Sequence, residues 1–328
     1  FFKSVKDIVE ADFEHIVLYT TMLLPGTDLS VRQSNEEFGL IRKYRVHPNC
    51  FGKYKFGDKK FNTAEIEEVC VAHDNLSLED YIECRLFSFI ACLFYNDRIF
   101  SDLIDYLKIN DISVYDWLYS IFLERPHLPE SIKKLCKQFE DDTRSELWDN
   151  SNDLLKFMKK RSTLNKYESG ELGKNLIFYY RTFGLVNHFS EMNATAFKVA
   201  RKLIQQKKYR TIYNEIMLKE LEKFSLNRKA HFLDVERTTK QSFSFDFIKL
   251  LGKRNSWDWK NIIKNGKTYN YRFYHTPAQK RKIKYQINRY GGDTRGVAKA
   301  IARLPVSNLY RKVKPIEQRS TLISFFIN

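Results

Sequence analysis

The sequence predicts an α+β fold in which helices predominate, with its strands towards the two ends of the chain. Near the start, an uncharged run of apolar and β-branched residues ends at Pro25-Gly26, a pattern typical of a strand followed by a tight turn. Apolar residues at helical spacing fill the middle, and from Ala230 onward they alternate as in strands. These patterns predict a short α/β opening, a helical middle region and a small α+β C-terminal region.

The opening segment predicts a helix, a buried strand, a turn and a second helix. Phe2–Phe13 carries apolar residues at helical spacing. In His15–Asp28 the inner residues are uncharged, which is typical of a strand buried on both faces in a parallel sheet. Thr27 or Asp28 would cap a helix over Leu29–Phe38. Strand, turn and helix together make half of a βαβ unit.

The next segment predicts two short strands and a central helix. The strands are expected near 42–47 and 66–72, on either side of a mobile basic loop near 49–62. The sequence Ser77-Leu78-Glu79-Asp80 is a capping box that begins a helix. Because that helix is apolar nearly all round from Leu86 to Tyr95, it predicts an element that is covered on every side.

The C-terminal region predicts three strands and two helices. The strands are expected at 231–235, 243–247 and 269–274, because aromatic and other apolar residues alternate there. Two helices are expected near 276–290 and 293–303, separated by a Gly-Gly pair. A short apolar segment, LISFFIN, follows them.

The charge is divided unevenly along the 328 residues, a length that favours two domains over one. Residues 1–150 hold 18 Lys and Arg against 27 Asp and Glu, whereas residues 151–328 hold 38 against 13. The whole excess of +16 therefore arises in the second half. This asymmetry suggests that the two halves face different partners.

Basic clusters in the second half, interleaved with tyrosines, leave three interpretations open. Clusters such as Lys159-Lys160-Arg161 and Lys280-Arg281-Lys282 are suited to phosphodiesters, with tyrosine rings stacking on bases. The same pattern suits anionic lipid headgroups, with Leu322–Ile327 as an apolar foot. The third interpretation, and the commoner one for lysine-rich helices, is a solvated surface.

Catalytic and metal-binding motifs are missing from the sequence. The five cysteines (Cys50, Cys70, Cys84, Cys92 and Cys136) show no CxxC spacing, which favours reduced cysteines in a cytoplasmic protein. The seven histidines form no paired ligand motif, and there is no Walker loop or GxSxG. A lone GxxGK at Gly170–Lys174 more commonly begins a helix than binds phosphate. The longest apolar run, Leu86–Tyr95, is too short to span a bilayer.

Three segments carry a resemblance to a known family: LLPGTDL, NEEFGLIRKYRVHPNCFGKY and EIEEVCVAHDNLSLEDYIECR. They resemble the region that leaves the catalytic barrel of radical S-adenosylmethionine proteins, in particular those with an N-terminal cobalamin-binding domain. The segment Thr276–Lys312 resembles the tail of the same family. The resemblance implies that the Pro-Gly-Thr turn lies near the cofactor pocket. Leu24, Pro25, Gly26 and Thr27 are then expected beside the cofactor, where backbone could approach the adenosyl group.

The resemblance also implies cofactors that this chain does not have the motif to hold. Members of the family use S-adenosylmethionine, a 4Fe-4S cluster and cobalamin, and they hold the cluster on a CxxxCxxC loop that is absent here. Because the chain begins at Phe1, in the middle of a βαβ unit, we expect a fragment that binds neither cluster nor cobalamin on its own. The expected partners are an N-terminal barrel and a cobalamin domain, and an unidentified substrate for which an anionic molecule is one option.

On this interpretation the chain divides into three regions. Residues 1–48 would be the last unit of a truncated (β/α) barrel, residues 49–229 a mainly helical region, and residues 230–328 a small basic α+β tail. No catalytic residue and no metal ligand is assigned. The sequence predicts no transmembrane segment and a cytoplasmic location, with association to a membrane surface left open.

Overall fold

The computed structural model describes residues 1–31, 36–207, 212–251 and 267–316, and it confirms the prediction of a mainly helical α+β fold. The helices are α1 (Phe2–Glu10), α2 (Leu78–Phe94), α3 (Ser101–Ile109), α4 (Val114–Leu123), α5 (Glu130–Ser145), α6 (Ser151–Met158), α7 (Arg161–Ser169), α8 (Leu176–Asn187), α9 (Phe189–Gln206), α10 (Ile212–Lys229), α11 (Phe247–Leu251), α12 (Pro277–Tyr290) and α13 (Thr294–Ile301). The strands are β1 (Ile41–Val46), β2 (Gly52–Phe56), β3 (Lys59–Thr63), β4 (Ile66–Ala72), β5 (Thr239–Phe243), β6 (Tyr269–Tyr274) and β7 (Lys312–Pro315).

Helix α2 is the centre of the core, as predicted. Its N-terminus has the full capping box, in which Ser77 accepts from the Asp80 amide and Asp80 accepts from the Ser77 amide. Every residue from Leu86 to Phe94 is buried, and the helix packs against α4, α5 and α8. The stacked rings of Phe89 and Phe139, 4.5 Å apart, show how closely α2 and α5 approach.

The predicted strand over His15–Asp28 is wrong, and the segment is instead a largely exposed stretch without regular secondary structure. Its contact with a strand is one antiparallel bridge, between Met22 and Val69 of β4. Val17 is 51% and Tyr19 89% exposed, so the segment is not covered on both faces. An uncharged run predicts burial only when enough neighbouring strands are present to cover it, and the described part of the chain does not supply them.

The predicted helix over Leu29–Phe38 is also not observed as a continuous element. A single 3-10 turn spans Asp28–Ser30, with Thr27 at its N-cap but without a side-chain cap. Val31 is extended, which ends the turn. Residues 32–35 lie outside the described residues. In the described part of the chain every strand pair is antiparallel, so the expected barrel remnant is not confirmed.

The predicted loop near 49–62 is wrong, because it forms the hairpin β2–β3 around Gly57-Asp58. Tyr54, Phe56 and Phe61 alternate with lysines there, a strand pattern that the basic residues and glycines obscured. Gly57 has φ +57°, which a two-residue hairpin turn requires. The hairpin connects β1 to its antiparallel partner β4, and the domain boundary expected after residue 48 stays a prediction.

The C-terminal sheet has the order β5-β6-β7, and its buried aromatic residues belong to the same hydrophobic cluster as Ile283 of α12 and Val297 of α13. The predicted strand at 269–274 and both predicted helices are confirmed. The expected strand at 231–235 is a turn instead, and the strand expected at 243–247 ends at Phe243, before α11. The segment LISFFIN lies outside the described residues.

Candidate functional site

A cleft of about 250 Å³ lies between the exposed opening segment and the central helix. One wall is the segment His15–Thr20, and the opposite wall is formed by β1, α2, the end of α5 and the start of α8. Its polar lining includes Arg45, Arg85, Ser88, Asn96, Glu146 and Asn175. Most of the remaining surface is apolar, a combination typical of a site for a small organic molecule.

Asn96 fixes the opening segment against the core. Its side-chain oxygen accepts from the amide of Ile16 at 2.9 Å, and its side-chain nitrogen donates to the carbonyl of Ile16 at 2.8 Å. Asn96 is buried, and Ile16 is the buried residue of this stretch. This pair of hydrogen bonds therefore positions the cleft wall.

The floor of the cleft contains an ion network centred on Arg45. Arg45 and Glu67 are directly opposite in the register of β1 and β4, and Arg45 Nε donates to Glu67 Oε1 at 2.5 Å. Arg45 Nη1 donates to Glu146 Oε1 at 2.6 Å, and His47 Nδ1 lies 2.5 Å from Glu67 Oε2. Burial alone would lower the pKa of Arg45, but Glu146 and Glu67 outweigh it and raise that pKa above its ordinary value.

Glu146 reaches the cleft because the chain after α5 returns to β1. The amides and carbonyls of Tyr44 and Trp148 exchange hydrogen bonds of 2.8 Å, which places Glu146 beside Arg45. Burial raises the pKa of Glu146, while the charges of Arg45 and Arg85 oppose that rise. Glu146 therefore holds a proton more readily than an ordinary glutamate.

Arg85 differs from Arg45 because it has no carboxylate partner within salt-bridge distance in the described residues. It projects from α2 into the cleft, half-buried, with its guanidinium carbon 5.7 Å from the ring centroid of Phe139. Its Nε is buried and makes no hydrogen bond. A guanidinium with unused donors in an apolar cleft can bind a carboxylate or a phosphate group.

The four residues expected beside a cofactor form an exposed turn outside this cleft. Thr27 donates to the carbonyl of Leu24 twice, from its amide at 3.2 Å and from its hydroxyl at 2.8 Å. Gly26 has φ +83°, as the turn requires, and Leu24, Pro25 and Thr27 are exposed. The tight turn is confirmed. A cofactor role for these residues stays a prediction, since the segment lines the cleft only as far as Thr20.

Sequence reasoning missed Arg45, Arg85 and Glu146. A signal existed for Arg85, because it is the last charge before a long apolar run on a helix predicted to be buried. Arg45 and Glu146 are 101 residues apart, and no local pattern reveals that they meet.

All five cysteines are free thiols. Among the residues described, no group of three or more His, Cys, Asp or Glu side chains could hold a metal ion. Cys92 lines the cleft alone, and burial raises the pKa of its thiol.

Neither the protein-family models nor the curated proteins that were searched give a match to this chain. Among the described helices, none combines the length and the apolar character that crossing a bilayer requires.

Proposed function

We propose that this chain is the C-terminal, substrate-side region of a radical S-adenosylmethionine enzyme of the cobalamin-binding type. In this proposal the cleft takes an anionic substrate, and Arg85 binds its charged group. The observation that carries the proposal is the wall His15–Thr20, which lines the cleft on one side and exposes a free edge on the other. It also lies just before the turn through which the chain resembles that family.

The free edge suits docking of a further protein segment. Thr21 accepts from the amide of Cys70, and Leu23 donates to the carbonyl of Glu68, so the end of the stretch is joined to β4. Residues 17–20 form no backbone pairing with another strand in the described part of the chain. Their backbone, which is outside any sheet, and the exposed Val17 and Tyr19 provide the polar groups and apolar surface that an added strand requires.

The test is the reading frame that continues upstream of the codon for Phe1. We expect it to encode CxxxCxxC in phase, and its full product to bind iron and sulfide when reconstituted without oxygen. The 328-residue chain treated identically is the control, and we expect it to bind no iron because it has no such motif. An upstream frame without the motif, or a brown iron-loaded preparation of the isolated chain, would contradict the proposal.

A second candidate function is binding of single-stranded nucleic acid by α12. Lys282, Tyr285 and Arg289 are exposed and lie at positions that share one face of this helix, and Tyr285 is 60% exposed. An exposed ring among cations suits stacking on bases beside phosphate contacts. By contrast, the neighbouring Lys280 and Lys284 are both paired with Glu236.

Mixed-sequence RNA at increasing salt tests this second candidate. We expect affinity to fall steeply with salt and to weaken in Tyr285→Ala, while Tyr54→Ala on the β2 strand serves as an exposed aromatic control. Absence of binding at low salt removes the candidate. The lipid alternative depended on Leu322–Ile327, which lie outside the described residues.

A further inference from the structure

A second cavity, of about 120 Å³, lies under the turn that follows α10. The end of α10 and the turn form its sides, the start of β5 contributes Thr239, and Arg311 lies next to it on the chain segment before β7. His231 and Arg237 are exposed at its rim. It shares no lining residue with the cleft described above.

Arg311 is a buried cation whose donors are only partly used. The residue is 1% exposed. Its Nη1 donates to the carbonyl of Asn227 at 2.8 Å, and its Nη2 donates to the carbonyl of His231 at 3.1 Å. Its Nε is buried without a partner. Because a guanidinium has five N–H donors, the neighbouring carbonyls leave part of this capacity free.

The positive charge of Arg311 is not neutralised by a salt bridge in the described residues. Burial lowers the pKa of Arg311, the charge of Arg237 lowers it further, and Asp234 only partly offsets them. A buried charge held by carbonyl groups alone is costly, because neutral acceptors do not replace the hydration of an ion. An anion in the adjoining cavity would remove that cost.

Two other residues that line the cavity, Thr239 and Arg237, carry hydrogen-bond donors suited to an oxyanion. Thr239 lines the cavity, and its Oγ1 is buried without a hydrogen-bond partner. Arg237 brings a second guanidinium to the rim. The cavity volume of about 120 Å³ is several times the ~10–15 Å³ that a single water molecule requires, which leaves room for a tetrahedral anion.

We propose that this cavity is a phosphate-binding site. Arg311 donates from its buried face, Thr239 donates its hydroxyl, and Arg237 covers the anion from the rim. The ligand is a phosphate group, either free or at the end of a phosphomonoester that extends past the exposed His231. The site is independent of the cleft, so it does not depend on the function proposed above.

Calorimetric titration of the full chain with inorganic phosphate, at constant ionic strength, tests the site. We expect saturable binding that weakens about tenfold in Arg237→Gln, because one charge-assisted hydrogen bond is lost. Thr239→Val keeps the shape of the side chain, and we expect it to weaken binding as well. Arg281→Gln, at an exposed arginine of α12 outside the cavity, is the matched control and should bind as the parent does.

A second titration with glycerol 3-phosphate distinguishes the two sources of the phosphate group. Tighter binding than inorganic phosphate indicates a phosphomonoester, and equal or weaker binding indicates the free ion. The proposal is overturned if phosphate shows no saturable binding, or if Arg281→Gln weakens it as much as Arg237→Gln does. Arg311→Met would leave two carbonyls unpaired and could unfold the region, so the test uses the rim and hydroxyl variants.

Discussion

At the scale of single residues, Arg45 is the centre of the ion network beside the cleft. It satisfies two carboxylates, Glu67 and Glu146, and both Arg45 and Glu67 are buried. Removing one member of a buried ion network leaves the other charges unpaired, which costs much more than the intact network contributes.

We therefore expect Arg45→Met to lower the free energy of unfolding by about 3–5 kcal/mol. The matched control is Arg42→Met on the same strand, where the pair with Glu68 is partly exposed, and we expect a loss of about 0–1 kcal/mol. Urea unfolding measures both. Equal losses in the two variants would show that the Arg45 network has no special role.

Glu236 provides a pH-dependent contribution at the residue scale. It accepts from Lys280 and Lys284 of α12, and these hydrogen bonds lower its pKa from 4.5 to about 2. Because the pKa is lower in the folded state, the pairs stabilise the fold above pH 4.5, and that stabilisation is lost as the pH falls towards 2.

The stability difference between the parent and Glu236→Gln should therefore be largest above pH 4.5 and should shrink as the pH falls towards 2. Unfolding by urea at a series of pH values measures it. The comparison with Asp293→Asn, a change that also removes one carboxylate but at the N-cap of α13, controls for charge alone. A difference that is constant over this range would refute the assignment.

At the scale of elements, the correct predictions were those of helices and strands whose residue pattern lies within a single element. The capping box at Ser77 and the apolar circumference of α2 identified the central helix, because both lie within one element. The strand at 269–274 was found for the same reason. The opening segment was predicted wrongly, since burial of a strand depends on neighbours that no local pattern contains.

The candidate site was less predictable than the fold. Its three charged residues come from β1, α2 and the end of α5, and the pairing of Tyr44 with Trp148 joins β1 to the chain that follows α5. A cross-strand pair such as Arg45 with Glu67 can be predicted only when the register of β1 and β4 is known. The hairpin that connects these two strands was predicted as a loop, so their register could not be predicted.

The opening segment should become mobile when Asn96 is replaced. Asn96→Ala removes both hydrogen bonds to Ile16, and we expect faster amide hydrogen exchange over residues 16–20 with little change in α2. Asn187→Ala, which loses one exposed side-chain bond to Phe183, is the control. Unchanged exchange in the segment would mean that Asn96 does not hold the cleft wall.

At the scale of the whole molecule, acidic and basic halves form one continuous core. The largest hydrophobic cluster includes buried residues from Val5 in α1 to Tyr310, just before the last strand of the C-terminal sheet. A buried ion pair between Asp102 of α3 and Lys229 of α10 links the halves, and Lys229 also donates to the carbonyl of Ile99 at 2.6 Å. Within the described residues, the acidic and basic halves therefore pack together, and the charge asymmetry is a difference between their surfaces.

Our central proposal is that the exposed segment Val17–Thr20 docks onto the catalytic part of a radical enzyme. The most direct measurement is reductive cleavage of S-adenosylmethionine by the full product of the reading frame, with 5′-deoxyadenosine quantified. We expect Tyr19→Asp to abolish most of the cleavage, because a charge would block the edge. Tyr54→Asp, at an exposed tyrosine of the hairpin, should retain it. Equal activity in both variants, or no cleavage by the parent protein, would contradict the account.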